Sequence, residues 1–195
     1  MAELKLPAKE KTVRKLRVGT VLELSGRLIT GRDAAHGWLL EAHREEVAPY
    51  LEGTVIYHCG PVVSRRDDGS WEFVAAGPTT SIREEPYQAD VIARYGLRGV
   101  IGKGGMGEKT LAGLRHSGAV YLHAVGGAAQ VLAAAVQRVE RVFMLEEFGV
   151  PEALWVVYVD KFPVIVTMDS HGGSLHAEVE EASRQRLEEL LGKAA

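Results

Sequence analysis

The chain has 195 residues, of which 46% are hydrophobic and 25% charged, and its formal net charge at pH 7 is -3. This length suits one domain with a substantial core, and the composition is ordinary for a globular protein. The slightly acidic balance argues against broad nucleic-acid binding, which usually shows a basic stripe, and no apolar run reaches the roughly 20 residues that span a bilayer.

The amino-terminal segment at 1–19 carries charges but lacks the apolar core of a signal peptide, so we expect a cytoplasmic location. The chain has no asparagine and 15 arginines against 8 lysines, which hints at a thermophilic source. Cys59 is the single cysteine, so an intrachain disulfide and a thiolate-held cluster built by this chain alone are excluded. The seven histidines fit no common zinc-ligand spacing, and we expect no metal site within the chain.

Short apolar runs rich in valine, isoleucine, tyrosine or tryptophan predict the β-strands, because glycine, proline or aspartate bounds most of them. In chain order these runs lie at 20–29, 53–63, 71–75, 98–101, 119–124, 154–159 and 163–168. The stretch at 65–70 (RRDDGS) predicts an exposed hairpin loop.

Helical patterns fall between the strands. Asp33 is expected to cap a helix that continues to about His43, while Pro86 and Gly96 are expected to mark the beginning and end of a second helix. Apolar residues at helical spacing predict further helices at 128–138 and 178–191. The sequence therefore predicts a single α/β domain over 1–195, with a mixed sheet, flanking helices and a C-terminal helix at 178–192.

Three short segments depart from this regular pattern. The first, at 30–36 (TGRDAAH), places Arg32 between the end of a strand and the beginning of a helix. Free backbone N–H groups at a helix start favour an anion, and a guanidinium can hold a carboxylate through two hydrogen bonds. The alternative is an ordinary turn in which Asp33 caps the helix and Arg32 is solvated.

The second segment, at 77–83 (GPTTSIR), presents the consecutive hydroxyl residues Thr79, Thr80 and Ser81, with Arg83 close behind. Hydroxyls, turned backbone amides and a cation together suit one small anionic ligand. The alternative is an N-cap cluster for the next helix, with Arg83 paired to Glu84 or Glu85.

The third segment, at 102–107 (GKGGMG), has four glycines around Lys103, which lets the backbone and the ammonium group approach a ligand closely. It nearly imitates a phosphate-binding loop, which needs glycine, four residues, then glycine, lysine and serine or threonine. Glu108 stands between Gly107 and Lys109 and breaks that spacing, so a nucleotide site is disfavoured.

Other reactive residue types have simpler interpretations. Cys59 ends an apolar run and is expected to be a small buried hydrophobic residue rather than a nucleophile. His123 lies within an apolar run and is expected to be a core histidine with satisfied hydrogen bonds. His171 and His176 flank two glycines, which favours a surface loop over a functional role.

Together these segments resemble the β-subunit, or C-terminal domain, of class I iron–sulfur fumarases and L(+)-tartrate dehydratases. The resemblance covers about 18–176 and keeps the order and spacing of the family's motifs. The matching motifs are GRDAAH at 31–36, CGPVV at 59–63, GPTTSIR at 77–83, IGKGGMG at 101–107, PEALW at 151–155 and FPVIVTMDSHGGSLH at 162–176.

The resemblance implies a swivelling β/β/α domain and a partner α-subunit that holds a [4Fe–4S] cluster through three cysteines, in an α2β2 or similar assembly. It implies a proton-transfer role for Thr79 or His36 and leaves open which of them is the base. The chain departs from many fumarases at Gly37 and Trp38, where they carry basic residues. The expected ligands of a dicarboxylate substrate are Arg32, Thr79, Thr80, Ser81, Arg83 and Lys103.

The activity that the resemblance implies is the reversible hydration of fumarate to (S)-malate, a reaction of the tricarboxylic acid cycle. The alternative within the family is dehydration of L(+)-tartrate to oxaloacetate. Two hypotheses of other classes are a stand-alone phosphate or nucleotide-binding module built on the Lys103 loop, and a purely structural subunit.

Overall fold

A computed structural model describes residues 2–192. Its strands are β1 (Ala2–Leu6), β2 (Val21–Thr30), β3 (Val55–Tyr57), β4 (Val62–Arg65), β5 (Trp71–Ala75), β6 (Gly99–Gly102), β7 (Val120–His123), β8 (Val136–Phe143) and β9 (Leu154–Met168). Its helices are α1 (Glu10–Val13), α2 (Asp33–Glu41), α3 (Ala48–Leu51), α4 (Gln88–Tyr95), α5 (Glu108–Ser117), α6 (Ala129–Ala134), α7 (Leu145–Phe148) and α8 (Leu175–Gly192). A 3₁₀ turn spans Ser81–Glu84.

The main sheet has the strand order β1-β2-β3-β6-β7-β9-β8, and β9 also pairs with β2. Strands β1, β2, β3, β6 and β7 run parallel to their neighbours in that order, whereas β9 is antiparallel to β2, β7 and β8. Because β9 pairs with both β2 and β7, the strands β2, β3, β6, β7 and β9 close into a ring. The carboxyl ends of β2, β3 and β6 consequently meet at one edge.

Successive side chains of a β-strand point to opposite faces of the sheet. Alternate residues of the strands therefore belong to two separate hydrophobic cores. In β9, Trp155 and Val157 belong to one core and Leu154 and Val156 to the other, and all four are fully buried. The second core lies beneath α2, α4 and α5. The hairpin of β4 and β5 packs on the first core, where Phe73 contacts the ring of Trp155 edge-on.

The predicted mixed α/β fold with flanking helices is confirmed. The strands predicted at 20–29, 71–75, 98–101 and 119–124, the hairpin loop and the C-terminal helix are also found. The run at 53–63 forms two strands, because the chain leaves the main sheet after Tyr57 and enters the hairpin at Val62. The runs at 154–159 and 163–168 form one strand, since the pairing with β2 continues past an irregularity at Lys161, which has a φ of 52°.

Some predicted boundaries are wrong. The helix predicted at 128–138 ends at Ala134, because Val136 begins a strand that pairs with β9. Pro86 lies in a turn before α4, which begins at Gln88. Helix α5 and strands β1 and β8 were not predicted from their apolar patterns. None of the helices within residues 2–192 is long and apolar enough to cross a membrane.

Two glycine substitutions test the register that holds β1 in the sheet. Gly26 has a φ of +122° and pairs with Leu6, and an added Cβ would lie 2.2 Å from the Leu6 carbonyl oxygen. Gly26→Ala is therefore expected to lower the free energy of unfolding by more than about 1 kcal/mol. Gly37→Ala, in open space within α2, is expected to raise it by roughly 0.5–1 kcal/mol. Chemical denaturation measures both changes, and equal effects would contradict this register.

Candidate functional site

The three unusual sequence segments meet at the edge where β2, β3 and β6 end. The segment at 77–83 lies against the one at 102–107 through backbone hydrogen bonds: Ser81 N–H donates to the Lys103 carbonyl at 3.0 Å, and Lys103 N–H donates to the Thr79 carbonyl at 3.2 Å. Thr79 N–H in turn donates to the carbonyl of His58, just after β3, at 2.7 Å. The middle segment, at 77–83, thus pairs with Lys103 through an isolated parallel β-bridge at Thr80.

An ion pair joins the middle segment to the first one. The Arg83 guanidinium donates to the Asp33 carboxylate at the start of α2. Asp33 makes no capping bond, and the residue flanking the helix is Arg32, so the predicted Asp33 N-cap is wrong. The alternative pairing of Arg83 with Glu84 or Glu85 is also not observed. Arg32 instead lies 3.3 Å from the carboxylate of Glu152, in the loop before β9.

The expected ligands of an anion differ in their exposure. A solute can reach the side chains at the edge, whereas His36 and Ser81 are 0% exposed. Those two residues therefore lie beneath the site in this chain. The residues that are partly or fully exposed are Arg32, Thr79, Thr80, Arg83 and Lys103.

A buried polar network supports the edge from below, with Gln88 of α4 at its centre. The Gln88 side-chain amide lies 3.0 Å from Nε2 of His36 and 2.7 Å from Nε2 of His58. Nδ1 of His58 lies 2.9 Å from the Ser81 hydroxyl, to which the Tyr121 hydroxyl donates at 2.8 Å. The network thereby connects α2, the end of β3, β7 and α4 to the middle segment.

The protonation of the network follows from its acceptors. Nδ1 of His36 lies 2.8 Å from the Arg32 carbonyl, which can only accept, so this nitrogen carries a proton. Burial lowers the pKa of His36, and burial with the neighbouring His36 lowers that of His58 well below its ordinary value, so both rings are neutral at pH 7. Nε2 of His36 must then accept, and the NH2 end of the Gln88 amide, interchangeable with its oxygen by a half-turn, supplies the donor.

The adjacent acids Glu84 and Glu85 have opposite surroundings. The Glu85 carboxylate accepts from Gly107 N–H at 2.8 Å and from Thr110, through its N–H at 3.1 Å and its hydroxyl at 2.6 Å. An internal carboxylate therefore already caps the start of α5, where a phosphate would bind. Glu84 is fully buried, and its carboxylate oxygens have no hydrogen-bond partner within residues 2–192. Burial, then the charge of Asp33, raises the pKa of Glu84 to about 7.

The side chains of residues 2–192 do not fit a cluster-binding site. Cys59 is fully buried as expected, and burial raises the pKa of its thiol to about 12. The described part of the chain contains no group of three or more histidine, cysteine, aspartate or glutamate side chains placed to hold a metal ion.

Of the three other histidines interpreted from the sequence, His123 and His176 differ from prediction and His171 agrees with it. His123 is only partly buried and its Nδ1 has no partner in the described range, so it is not a satisfied core histidine. His176 lies in the first turn of α8 rather than in a loop, and its Nε2 lies 2.9 Å from the Thr167 hydroxyl. His171 is exposed in a loop as expected, and its Nε2–H donates to the Arg14 carbonyl at 2.7 Å.

Gln88, His58 and Glu84 were not singled out from the sequence. One signal was present for Gln88, because it shares the buried stripe of α4 with Val91, Ile92 and Tyr95 at helical spacing. A polar residue on an apolar stripe marks a side chain that needs buried partners. No comparable local signal identifies Glu84, whose burial depends on the packing of the 3₁₀ turn.

Comparisons with known proteins agree with the motif resemblance. Residues 1–179 match the family model described as Fumarase C-terminus. The chain is 50% identical over 187 residues to a provisionally named class I fumarate hydratase of Geobacillus stearothermophilus, covering 96% of this chain but 36% of that relative. It is 41% identical to a provisionally named L(+)-tartrate dehydratase β-subunit of Methanocaldococcus jannaschii, covering 94% of this chain and 95% of the relative. It is 39% identical to the L(+)-tartrate dehydratase β-subunit of Escherichia coli K12, covering 96% and 92%.

Replacing Gln88 tests the buried network. Gln88→Leu keeps the size of the side chain but leaves polar atoms of His36 and His58 without their shared partner, so we expect a loss of roughly 1–3 kcal/mol in unfolding free energy. Gln130→Leu, exposed on α6, is the matched control and should stay within about 0.5 kcal/mol of the native chain. Thermal and denaturant unfolding measure both. If Gln88→Leu leaves the free energy of unfolding unchanged, the Gln88 amide does not stabilise the two histidines.

Proposed function

We propose, from the premise that the chain belongs to the Fumarase C-terminus family, that it is the substrate-holding subunit of a hydro-lyase acting on a four-carbon dicarboxylate. The chain spans about a third of the length of the class I fumarate hydratase relative. The activity is therefore proposed for an assembly that contains this chain together with a second unit.

The observation that carries the proposal is the meeting of three cation-bearing segments at one edge of the strand ring. Backbone hydrogen bonds between Thr79, Ser81 and Lys103 fix two of the segments, and the ion pair of Arg83 with Asp33 joins the third. A diacid needs cations at two separated points, and guanidinium groups can hold carboxylates through paired hydrogen bonds.

The chemistry of the proposed reaction suits these side chains. Adding or removing water beside a carboxylate requires a proton to move to or from the neighbouring carbon, which builds negative charge on that carboxylate in the transition state. Cations fixed at the carboxylate stabilise the developing charge. We assign this role to Arg32, Arg83 and Lys103, with the hydroxyls of Thr79 and Thr80 as additional donors.

We place the proton transfer at the hydroxyl of Thr79, a partly exposed residue at the edge where the three segments meet. A threonine hydroxyl is a weak base at its ordinary pKa, so it depends on the nearby cations. His36 is buried, and its two ring nitrogens face the Arg32 carbonyl and Gln88. We therefore assign His36 a positioning role towards Arg32, and Ser81 a positioning role towards the middle segment.

We infer that a partner α-subunit supplies the [4Fe–4S] cluster that the family resemblance implies. The single buried Cys59 gives this chain no means to hold such a cluster. Two relatives of nearly the same length as this chain are named β-subunits. An α2β2 assembly and a cytoplasmic location remain predictions from the sequence.

We place fumarate and (S)-malate first as substrates, because the GRDAAH motif favours a fumarase and the relative named as a fumarate hydratase is 50% identical. L(+)-tartrate is the second candidate, because two relatives at 41% and 39% identity carry the name tartrate dehydratase. The bonds that Glu85 makes to Gly107 and Thr110 argue against the nucleotide-binding hypothesis, because a carboxylate takes the position of the phosphate.

Reconstitution tests the division of labour. The chain alone is expected to show no hydration of fumarate, and activity is expected to appear when it is mixed anaerobically with a three-cysteine α-subunit. Fumarate, malate and tartrate assayed with the mixture then decide the substrate. The α-subunit alone is the control, and substantial activity of this chain without a partner would refute the proposal.

An arginine-to-lysine exchange tests whether Arg83 holds a carboxylate through two parallel hydrogen bonds. Arg83→Lys keeps the charge but cannot form two parallel hydrogen bonds to a carboxylate, so kcat/KM of the assembled enzyme is expected to fall roughly 10- to 100-fold. Arg66→Lys, in the exposed hairpin loop, is the matched control and should leave kcat/KM unchanged. If Arg83→Lys keeps full activity, Arg83 does not hold a carboxylate in this way.

A further inference from the structure

Glu84 is a buried acid to which the proposed reaction assigns no role. Its side chain is inaccessible to solvent, and both carboxylate oxygens lack a hydrogen-bond partner in the described part of the chain. The neighbouring Glu85, in contrast, is fully engaged at the start of α5. An ionised carboxylate without partners is costly to bury, so the surroundings of Glu84 favour its protonated form.

Charged groups from several elements face Glu84. Arg83 precedes it in the 3₁₀ turn, Arg32 and Asp33 come from the start of α2, and Glu152 comes from the loop before β9. Tyr121 of β7 also lies within its electrostatic influence, and burial raises the pKa of that phenol, which keeps it neutral. The two guanidinium groups are thus balanced by Asp33 and Glu152 when Glu84 holds a proton, and the cluster becomes net negative when Glu84 loses it.

A second unsatisfied group lies in the same cluster. Nε of Arg32 is buried and has no hydrogen-bond partner among residues 2–192. Buried guanidinium and carboxyl groups are normally hydrogen-bonded in folded proteins. One orphaned donor and one orphaned acid within a single cluster show that the buried polar contacts around the two guanidinium groups are incomplete in this chain.

We propose that Glu84 is a positioning residue whose proton controls how tightly Arg32 and Arg83 bind a dicarboxylate. The protonated acid leaves both guanidinium groups available to the ligand. The ionised acid adds a negative charge beside them, which repels the ligand and competes for the same cations. The inference rests on the proposed function, because it assumes that the ligand is the diacid substrate.

The dependence of KM on pH tests this role in the assembled enzyme. Burial raises the pKa of Glu84 to about 7, so the acid is mostly protonated at pH 6 and mostly ionised at pH 8.5. Ordinary carboxylates, with pKa values of about 4, stay ionised over this range, so the ligand does not change. KM for malate is expected to rise roughly fivefold to tenfold between pH 6 and pH 8.5, because one negative charge is added to the cluster that holds the two guanidinium groups. Glu84→Gln is expected to remove most of that rise and to leave kcat less affected than KM.

Glu46→Gln, at an exposed position away from the cluster, is the matched control and should keep the native KM profile. An active enzyme in which Glu84→Gln follows the same profile as the native enzyme would overturn the inference alone. An assembled native enzyme that is inactive on fumarate, malate and tartrate would overturn the proposed function and the inference with it.

A direct titration of the native chain tests whether a glutamate holds a proton near neutral pH, and it does not require an active variant. Carbon-13 NMR of the native chain labelled at glutamate carboxyl carbons is expected to show one carboxyl that titrates near neutral pH, well above the others. Its absence from the spectra of Glu84→Gln would assign it. If all glutamates titrate at ordinary values, Glu84 does not hold the proton that the inference requires.

Discussion

The site depends on the packing of the segment at 77–83 against Lys103 at the carboxyl edge of the strand ring. Two backbone hydrogen bonds pair this segment with Lys103, and Ser81 fits above Gly102, where a Cβ would lie 1.8 Å from the Ser81 hydroxyl oxygen. Backbone bonds hold position more firmly than flexible side chains do. A glycine at 102 is therefore a packing requirement as well as a turn signal.

Beneath this edge, the network around Gln88 links the fold to the site. His36 reaches the carbonyl of Arg32, and His58 reaches the hydroxyl of Ser81, while Gln88 contacts both rings. These shared contacts favour one arrangement, because moving Gln88 would leave ring nitrogens of both histidines without their partner. Gln88 of α4 thus helps to position Arg32 and Ser81 through the two histidines, although it does not bond to either residue itself.

The two guanidinium groups are held by ion pairs that differ in exposure. The Arg83–Asp33 pair keeps 53% and 35% of its side-chain surface exposed, and Arg32 is about one-fifth exposed beside Glu152. The more exposed Arg83–Asp33 pair contributes little to stability in water. Asp33 therefore orients the Arg83 guanidinium without holding it tightly, and a dicarboxylate can take its place at small cost. The buried Glu84 differs because solvent cannot screen its charge.

The sequence by itself determined the mixed α/β fold, the three glycine- and arginine-containing segments and the family, because turn residues, apolar runs and motif order are local properties of the chain. It did not give the boundary between α6 and β8, since Val136 becomes a strand residue only when β9 lies beside it. It also did not predict the ion pair of Arg83 with Asp33, or that the Glu84 carboxyl group is buried without a hydrogen-bond partner among residues 2–192. Those outcomes depend on which distant groups share one buried volume, and only the closed tertiary structure decides that.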